Sequence, residues 1–218
     1  MSDKPEFFLM NGEDALRFLS GGRQTPSREQ VEKTVTDLFS RMNDTVKAAQ
    51  EILNERLSGF DVLPIDEIAL LAPTPEQADS HALIFVMAED VILFNTAEDH
   101  VHVDPFGTHY SVQYRFLASM HPWRVELMSL TDGVSPLHMG YLEAMNDGGL
   151  NAIHLSFKAR DEQQYNDVIE HMHRDPSWVM GQSCRSTYGR FSYWKNANAG
   201  DVIGDIWIKP RVNTRDAS

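Results

Sequence analysis

His154 stands alone in the middle of an alternating run, "LNAIHLSF", between a glycine pair and a charged turn. A solitary histidine in a strand is more often a hydrogen-bonded structural residue than a metal ligand, and the residue type permits both interpretations. Glu126 raises the same question in "RVELM", because a glutamate in an apolar strand needs either solvent or a partner. His100 and His102 share one face of "HVHV", a spacing that is compatible with metal binding but common by chance in a chain with nine histidines. The residues alone leave both interpretations open.

Composition restricts the classes of function. The 218 residues carry a formal net charge of −13, which repels nucleic-acid phosphates, so we expect no nucleic-acid partner. The basic segment "KPRVNTR" near the C-terminus is short and is expected to fray. No apolar run approaches the roughly 20 residues of a membrane span. Cys184 is the only cysteine, which excludes an intrachain disulfide and a cysteine-ligated metal cluster. Because the start, "MSDKPEFFLMNGED", also lacks a basic segment before an apolar one, we expect a cytoplasmic location and no membrane partner.

Residues 1–60 are predicted to form a helical segment. "TPSREQ" places Ser27 three residues before Gln30, which is typical of a capping box at a helix start. The apolar residues that follow recur at spacings of three and four until Gly59: Val31, Val35, Leu38, Phe39, Met42, Val46, Ala49, Ile52, Leu53 and Leu57. A stripe of this length either packs on the rest of the chain or pairs with a second subunit.

The remainder of the chain is predicted to contain an internal structural repeat. A strand near Ile65 is followed by a helix that starts after Thr74 and by several β-rich runs. The same order begins again near Leu150, with a strand, a helix over "DEQQYNDVIEHMH" and three further strands. Each unit presents an apolar sheet face that must be covered, so the pattern favours an α+β fold made of two similar modules.

Two segments carry a resemblance to a known superfamily. "VELMSLTDGVSP…YLEAMNDGGLNAIHLSF" is similar to an epimerase-type segment that leads from a strand with a Glu-Leu pair, through a turn and a short helix, to "GLHHIAF". "PIDEIALLAPTPEQA" is similar to an opening "DHIGIAV" strand and its helix. Together they resemble the vicinal oxygen chelate superfamily, which includes glyoxalase I, methylmalonyl-CoA epimerase and extradiol dioxygenases. The resemblance implies paired βαβββ modules that form a cupped mixed sheet within a domain at 61–212, with modules at about 62–132 and 148–210 and a tail at 213–218.

The resemblance also implies a site for one divalent metal ion between the modules. Its four ligand positions fall on Glu67, Glu126, His154 and Asp205. Such an oxygen-rich set suits Mn²⁺, Fe²⁺, Co²⁺, Ni²⁺ or Mg²⁺, with Zn²⁺ also to be tested. Glu67 stands where the superfamily usually has histidine, which disfavours a ring-cleaving dioxygenase unless His100, His102 or His109 replaces the missing ligand. Strand alternation places Glu67 on the face of Ile65 and Ala69, and His154 on the face of Ala152 and Ser156. The opposite face of each strand is richer in large aliphatic residues, which are expected to meet the helices.

Two functions follow from this expectation. In the first, the metal ion stabilises an enolate of a small oxygenated metabolite, as in a lyase, isomerase or epimerase, and Glu67 or Asp205 is the catalytic base. In the second, the paired modules hold a small molecule without a metal, as sequestration-type members of the superfamily do. A homodimer is expected in either case. The residues predicted from strand placement to contact an anionic or ring-bearing substrate are Arg115, Arg190, Tyr193 and Trp194.

Overall fold

A computed structural model describes residues 28–72, 74–76, 78, 79, 82, 85, 91–95, 99–103, 109–119, 121–132, 151–186, 189–198 and 206–213. At 91–95, 99–103, 109–116 and some other positions it describes the backbone alone. The capping residue Ser27, the other residues of segment 1–27 and the turn and short helix predicted for 133–150 lie outside the described residues. Among the described residues, no helix is long and apolar enough to cross a membrane.

Helix α1 spans Arg28–Arg56 and begins directly after the predicted cap. It ends in a turn at 57–59, where the Phe60 N–H donates to the Leu57 carbonyl at 2.8 Å, as predicted from Gly59. The apolar stripe is buried from Phe39 to the turn that ends the helix, at Phe39, Met42, Val46, Ala49, Leu53 and Leu57. These side chains belong to the same hydrophobic core as the strands, so the stripe packs against the sheet of its own chain.

The described residues of the first module form five strands: β1 (Ile65–Ala72), β2 (Val91–Asn95), β3 (Asp99–Val103), β4 (His109–Ser119) and β5 (Arg124–Asp132). The described residues between 75 and 85 are helical, and the Ala78 N–H donates to the Thr74 carbonyl at 3.0 Å, which confirms the predicted helix start. Strands β2 and β3 pair with successive parts of β4, so together they take one place in the sheet.

The second module contains β6 (Asn151–Lys158), helix α2 (Glu162–Arg174), β7 (Trp178–Ser186), β8 (Gly189–Asn196) and β9 (Trp207–Asn213). The side chain of Asp161 caps α2 by accepting from the Gln164 N–H at 2.8 Å. Gln164 in turn donates to the Asp61 carbonyl at 2.7 Å and so ties the helix to the segment before β1. Val168 and Met172 bring the apolar face of α2 into the shared core.

In the part of the chain that the structure describes, the two modules form one sheet of nine strands, in the order β2-β4-β5-β1-β6-β9-β8-β7, with β3 beside β4. Within each module the first strand runs parallel to the last, β1 to β5 and β6 to β9. The modules meet where β1 and β6 pair antiparallel. The strand order of the second half is therefore the mirror of the first, which confirms the predicted α+β fold of paired βαβββ modules.

The two faces of the sheet differ in composition. Ile68 and Leu70 of β1, with Leu155 and Phe157 of β6, are buried in the core that the helices cover, as alternation predicted. We call the opposite face, which carries Glu67 and His154, the polar face.

Strand β9 lies deeper in the sheet than the sequence suggested. The fraying predicted for "KPRVNTR" was wrong for residues 209–213, because β9 continues from Trp207 to Asn213 between β6 and β8. Ile208 and Val212 alternate toward the hydrophobic residues, so Lys209 and Arg211 lie on the polar face of a central strand. Charge was a poor guide here, since a buried strand tolerates basic residues when they are paired.

Candidate functional site

Four buried side chains meet on the polar face at the junction of the modules. Glu67 lies on β1, Glu126 on β5, His154 on β6 and Lys209 on β9, and their residues are 1%, 3%, 1% and 7% exposed. We refer to these four residues as the central group. They come from the first and last strands of both modules, which the sheet places side by side.

The register of the strands shows that the four positions are related in pairs. In the first module Glu126 lies opposite Ala69, two residues after Glu67. In the second module Lys209 lies opposite Ser156, two residues after His154. Glu67 therefore corresponds to His154, and Glu126 corresponds to Lys209. The central group consists of two equivalent positions from each module.

A β-bulge precedes each member of the first pair. The pairing of β1 with β6 shifts between Ile65 and Glu67, which leaves Asp66 as an extra residue. It shifts again between Ala69, which pairs with His154, and Leu70, which pairs with Ala152. Ile153 is therefore an extra residue directly before His154. Bulges redirect the following side chain. Here they explain how Ile65 enters the core while Glu67, two residues later, reaches the polar face.

The ammonium group of Lys209 lies among the functional atoms of the other three side chains. Its Nζ is 3.4 Å from Glu67 Oε1, 3.4 Å from Glu126 Oε2 and 3.2 Å from His154 Nε2. His154 Nε2 is 2.9 Å from Glu126 Oε2 and 3.6 Å from Glu67 Oε1. The carboxylates and the imidazole therefore surround one positive charge.

The Nε2 atom of His154 cannot form hydrogen bonds to Glu126 and Lys209 at the same time. Nε2 either donates its proton to Glu126 or accepts one from Lys209, because a ring nitrogen is a donor or an acceptor and not both. If it donates in a neutral ring, the lone pair lies on Nδ1, which is buried and has no hydrogen-bond partner among the described residues. The imidazole ring packs edge to face with the ring of Tyr193, with the centroids 5.3 Å apart.

The positive charges around Glu67 favour its ionised form. Burial by itself raises the pKa of Glu67, but the positive charge of Lys209, the contact with His154 and the charge of Arg124 outweigh burial and hold the pKa well below its ordinary value. The Nε of Arg124 donates to Glu67 Oε2 at 2.8 Å, and a second guanidinium nitrogen contacts the same oxygen. Glu67 is thus a permanent anion at neutral pH.

Hydrogen bonds fix the backbone on either side of the central group. The Ser156 hydroxyl donates to the Lys209 carbonyl at 2.9 Å and accepts from Arg211 Nε at 3.0 Å. Arg211 also pairs with Asp66, the bulge residue next to Glu67. Burial raises the pKa of Asp66 despite the opposing charge of Arg211. These contacts join β1, β6 and β9 at the level of Lys209.

Aromatic rings of β8 form the wall beside the ammonium group. Lys209 Nζ lies 5.0 Å from the ring centroid of Phe191 and 5.9 Å from that of Tyr193. The two rings contact each other edge to face at 5.7 Å. Cation–π attraction of this kind favours the observed position of the charge.

The structure brings together three of the four predicted metal ligands, Glu67, Glu126 and His154, and places Lys209 with them. Asp205 lies outside the described residues, and its role remains a prediction. Lys209 was not predicted, although a signal for it exists in the sequence. Glu67, Glu126 and Lys209 are each the third residue of their strands, so a comparison of "RVE" with "WIK" would have found it.

Of the residues predicted to contact a substrate, Tyr193 lies beside His154. Arg190 lies on the other face, where its guanidinium group is 5.1 Å from the Tyr165 ring and donates to Asn166 on α2 at 3.1 Å. Trp194 is buried in the hydrophobic core and contacts His173 at 4.8 Å. Only the backbone of Arg115 is described, in β4 opposite Leu127, and the same holds for the histidines at 100, 102 and 109.

The central group fits a divalent ion by residue type but not by arrangement. Glu67, Glu126 and His154 could hold a metal ion, since their ligand atoms all lie within 4.8 Å of one another. Two carboxylates and an imidazole suit Mn²⁺, Fe²⁺, Co²⁺ or Zn²⁺. However, the ammonium of Lys209 has no lone pair to offer and already donates into the space between the three ligands. In the folded protein, the ammonium group of Lys209 is the cation of the central group.

Comparison with known proteins gives structural matches only. No protein-family model matches the chain, and no curated protein does. Methylmalonyl-CoA epimerase from Mycobacterium tuberculosis is similar at 13% identity with a TM-score of 0.44, over 71% of this chain and 91% of that one. A methylmalonyl-CoA epimerase in complex with methylmalonyl-CoA and NH4+ is 15% identical with a TM-score of 0.41, over 71% and 96%. A fusion of a xylose isomerase-like TIM barrel with 4-hydroxyphenylpyruvate dioxygenase is 15% identical with a TM-score of 0.32, over 70% and 26%.

The strand order decides the architecture independently of these scores. Each module has its first strand parallel to its last, and the modules pair through their first strands. The fold is of the vicinal oxygen chelate type. In this chain the junction of the modules carries two carboxylates, an imidazole and an ammonium group.

Proposed function

We propose that this protein binds a small oxygenated molecule without a metal ion. The observation that carries the proposal is the position of Lys209, whose ammonium group contacts all three side chains that could ligate a metal. A positive charge is therefore present at the junction of the modules without any added ion. This supports the metal-free alternative that the sequence left open.

The polar face around Lys209 has the composition of a site for a carbonyl or carboxylate compound with a ring or an apolar body. Phe191, Tyr193 and Trp207 present aromatic rings, and Lys195 Nζ lies 4.8 Å from the Trp207 centroid. The indole N–H of Trp207 has no hydrogen-bond acceptor among the described residues. Ligand sites are commonly apolar with a few convergent polar groups, and this face has that character.

The proposal is tested with a panel of 2-oxo acids, hydroxy acids and aromatic carboxylates, screened by thermal shift and confirmed by calorimetry. We expect at least one class to bind in the presence of a chelator, and Lys195→Met or Tyr193→Phe to weaken that binding. Glu55→Gln on the exposed surface of α1 is the matched control. Binding that disappears when the chelator is added would contradict the metal-free proposal.

A second candidate is a metal-dependent lyase, isomerase or epimerase. The observation that favours it is the distance between the ligand atoms of Glu67, Glu126 and His154, all within 4.8 Å. A divalent ion there would polarise a carbonyl or carboxylate oxygen of the substrate. Glu67 is poorly suited to be the base, because its lowered pKa makes it a weak proton acceptor. Asp205 stays the predicted base for this candidate.

Elemental analysis of untagged protein separates the two candidates. About one Mn, Fe, Co, Ni or Zn per chain, lost in both His154→Ala and Glu126→Ala, would support the metal-dependent enzyme. A homodimer and a cytoplasmic location remain predictions. All four members of the central group come from one chain, so a dimer is not required to complete it. Light scattering during gel filtration measures the number of subunits directly.

A further inference from the structure

We propose that Lys209 is a tethered replacement for a divalent cation, and that this one side chain keeps metal ions out of a group that is otherwise able to bind them. The inference rests on the metal-free proposed function and deepens it, because it names the residue that makes the site independent of metal. It also predicts that a single substitution converts the central group into a metal site.

The first step of the argument is geometric. An ion bound by Glu67, Glu126 and His154 would lie between their ligand atoms, within the 4.8 Å that separates them. Lys209 Nζ occupies that space, at 3.2 to 3.4 Å from one atom of each residue. Ligand bonds to a divalent ion are about 2.0–2.2 Å long, so the three side chains would only need to close by about 1 Å around an ion.

The second step concerns charge. An ammonium group presents three donors, and the central group offers it two carboxylates and one ring nitrogen. A divalent ion could enter only beside this positive charge or by displacing it, and Arg124 adds a further positive charge at Glu67. Without the Lys209 charge, the same three side chains become an anionic site with three suitable ligand atoms.

The third step is that Lys209 is held in this position. Its carbonyl accepts from the Ser156 hydroxyl at 2.9 Å, and β9 is an interior strand between β6 and β8. The rings of Phe191 and Tyr193 lie 5.0 Å and 5.9 Å from Nζ and favour the charge where it is. The equivalent position of the first module carries Glu126, which shows that this place in the module can carry a side chain able to ligate an ion.

The experiment compares wild type with Lys209→Met and Lys209→Glu. Untagged proteins are stripped with a chelator, dialysed and titrated with Mn²⁺, Co²⁺ and Zn²⁺ in a calorimeter, while Co²⁺ absorption reports direct ligation. We expect no binding by wild type at millimolar ion. We expect one ion per chain for Lys209→Met, with an affinity higher by at least about 1000-fold, or about 4 kcal/mol at 1.4 kcal/mol for each factor of ten. Lys209→Glu supplies a fourth ligand and should bind more tightly still.

Two control variants keep the test specific. Lys195→Met removes a lysine from the neighbouring strand on the same face and, whatever its effect on an organic ligand, should bind no more Mn²⁺, Co²⁺ or Zn²⁺ than wild type. His154→Ala in the Lys209→Met background should abolish the new binding. If Lys209→Met or Lys209→Glu is unfolded without metal, circular dichroism during the titration replaces calorimetry, and refolding by the ion is the expected result.

The outcomes distinguish this inference from the proposed function. Stoichiometric metal in wild type would overturn both. No metal in wild type, together with no binding or refolding by ions in either Lys209 variant, would overturn the inference alone and leave a metal-free protein. Equal binding by the Lys209 and Lys195 variants would also overturn it, since Lys209 would then have no special part.

Discussion

Glu126 and Lys209 occupy the same position in the two modules, carry opposite charges and lie 3.4 Å apart. The two modules thus carry an acidic and a basic residue at a position where an exact repeat would have the same residue twice. Because both side chains are buried, their charges depend on each other and on Glu67 and Arg124 for compensation. The stability of the protein and the chemistry of its central group are therefore linked at this pair.

Removal of the Lys209 charge should destabilise the protein in the presence of a chelator. Lys209→Met leaves Glu67 and Glu126 buried without their shared partner, and breaking a buried pair costs about 3–5 kcal/mol. Urea unfolding followed by circular dichroism measures the loss. The double variant Lys209→Met/Glu126→Gln should recover part of it, because one buried carboxylate is then neutral. A loss no greater than that of Lys195→Met would show that Lys209 is not an important ionic partner.

Stability should fall as the medium becomes acidic, and Glu67 should contribute to the fall. The pKa of Glu67 is lowered in the folded state from an ordinary value of 4.5, so its contribution is complete above that value and is lost as the pH falls through the folded-state pKa. Unfolding free energies measured at pH 7, 5, 4 and 3 test this. Glu67→Gln should show a shallower slope below about pH 5 than wild type. Identical slopes would mean that the Glu67 pKa is not lowered.

Much of the architecture could be predicted because strands and helices leave periodic signals. The stripe of α1, the helix that starts after Thr74 and the burial of the aliphatic residues that follow Glu67 and His154 all follow from local spacing. The position of Lys209 could not be obtained in that way. An acidic ligand was expected in the last strand, and Asp205 matched that expectation, whereas the boundaries of β9 are set by its pairing with β6 and β8.

The predicted substrate contacts illustrate what alternation can and cannot decide. Arg190 and Trp194 have the same parity in β8 and lie on the face covered by α2, whereas Tyr193 has the opposite parity and lies beside His154. Once β8 was predicted as a strand, the sequence therefore predicted that Tyr193 lies on the opposite face from Arg190 and Trp194. Which of the two faces carries the central group is decided by the long-range pairing of β6 with β9 and of β9 with β8.

The packing of α1 on the sheet predicts a large effect of truncating a buried leucine in its last turn. Leu53 is fully buried in the shared core, and replacing such a residue by alanine costs about 2–5 kcal/mol. Glu51, an exposed residue of the same helix, is the matched control, and Glu51→Ala should change stability by less than about 0.5 kcal/mol. Thermal and urea unfolding measure both variants. If Leu53→Ala were as mild as Glu51→Ala, α1 would not pack against this sheet in solution.

The start of β8 predicts a contrast between two glycines. Gly189 has a φ of +159°, and a Cβ there would lie 2.0 Å from the carbonyl oxygen of Val212 on β9. Gly189→Ala should therefore force β8 and β9 apart and cost about 2–4 kcal/mol. A methyl group added at Gly59, after α1, would meet nothing within 4 Å, so Gly59→Ala should cost less than about 1 kcal/mol.

The same contrast reports on the central group, because β8 carries Tyr193 and β9 carries Lys209. A change at the β8–β9 pairing should reach both side chains, whereas a change at Gly59 should reach neither. The chemical shifts of the Tyr193 and His154 rings should therefore move in Gly189→Ala and stay constant in Gly59→Ala. Unchanged signals in a folded Gly189→Ala variant would show that the pairing of β8 with β9 does not position the aromatic wall of the site.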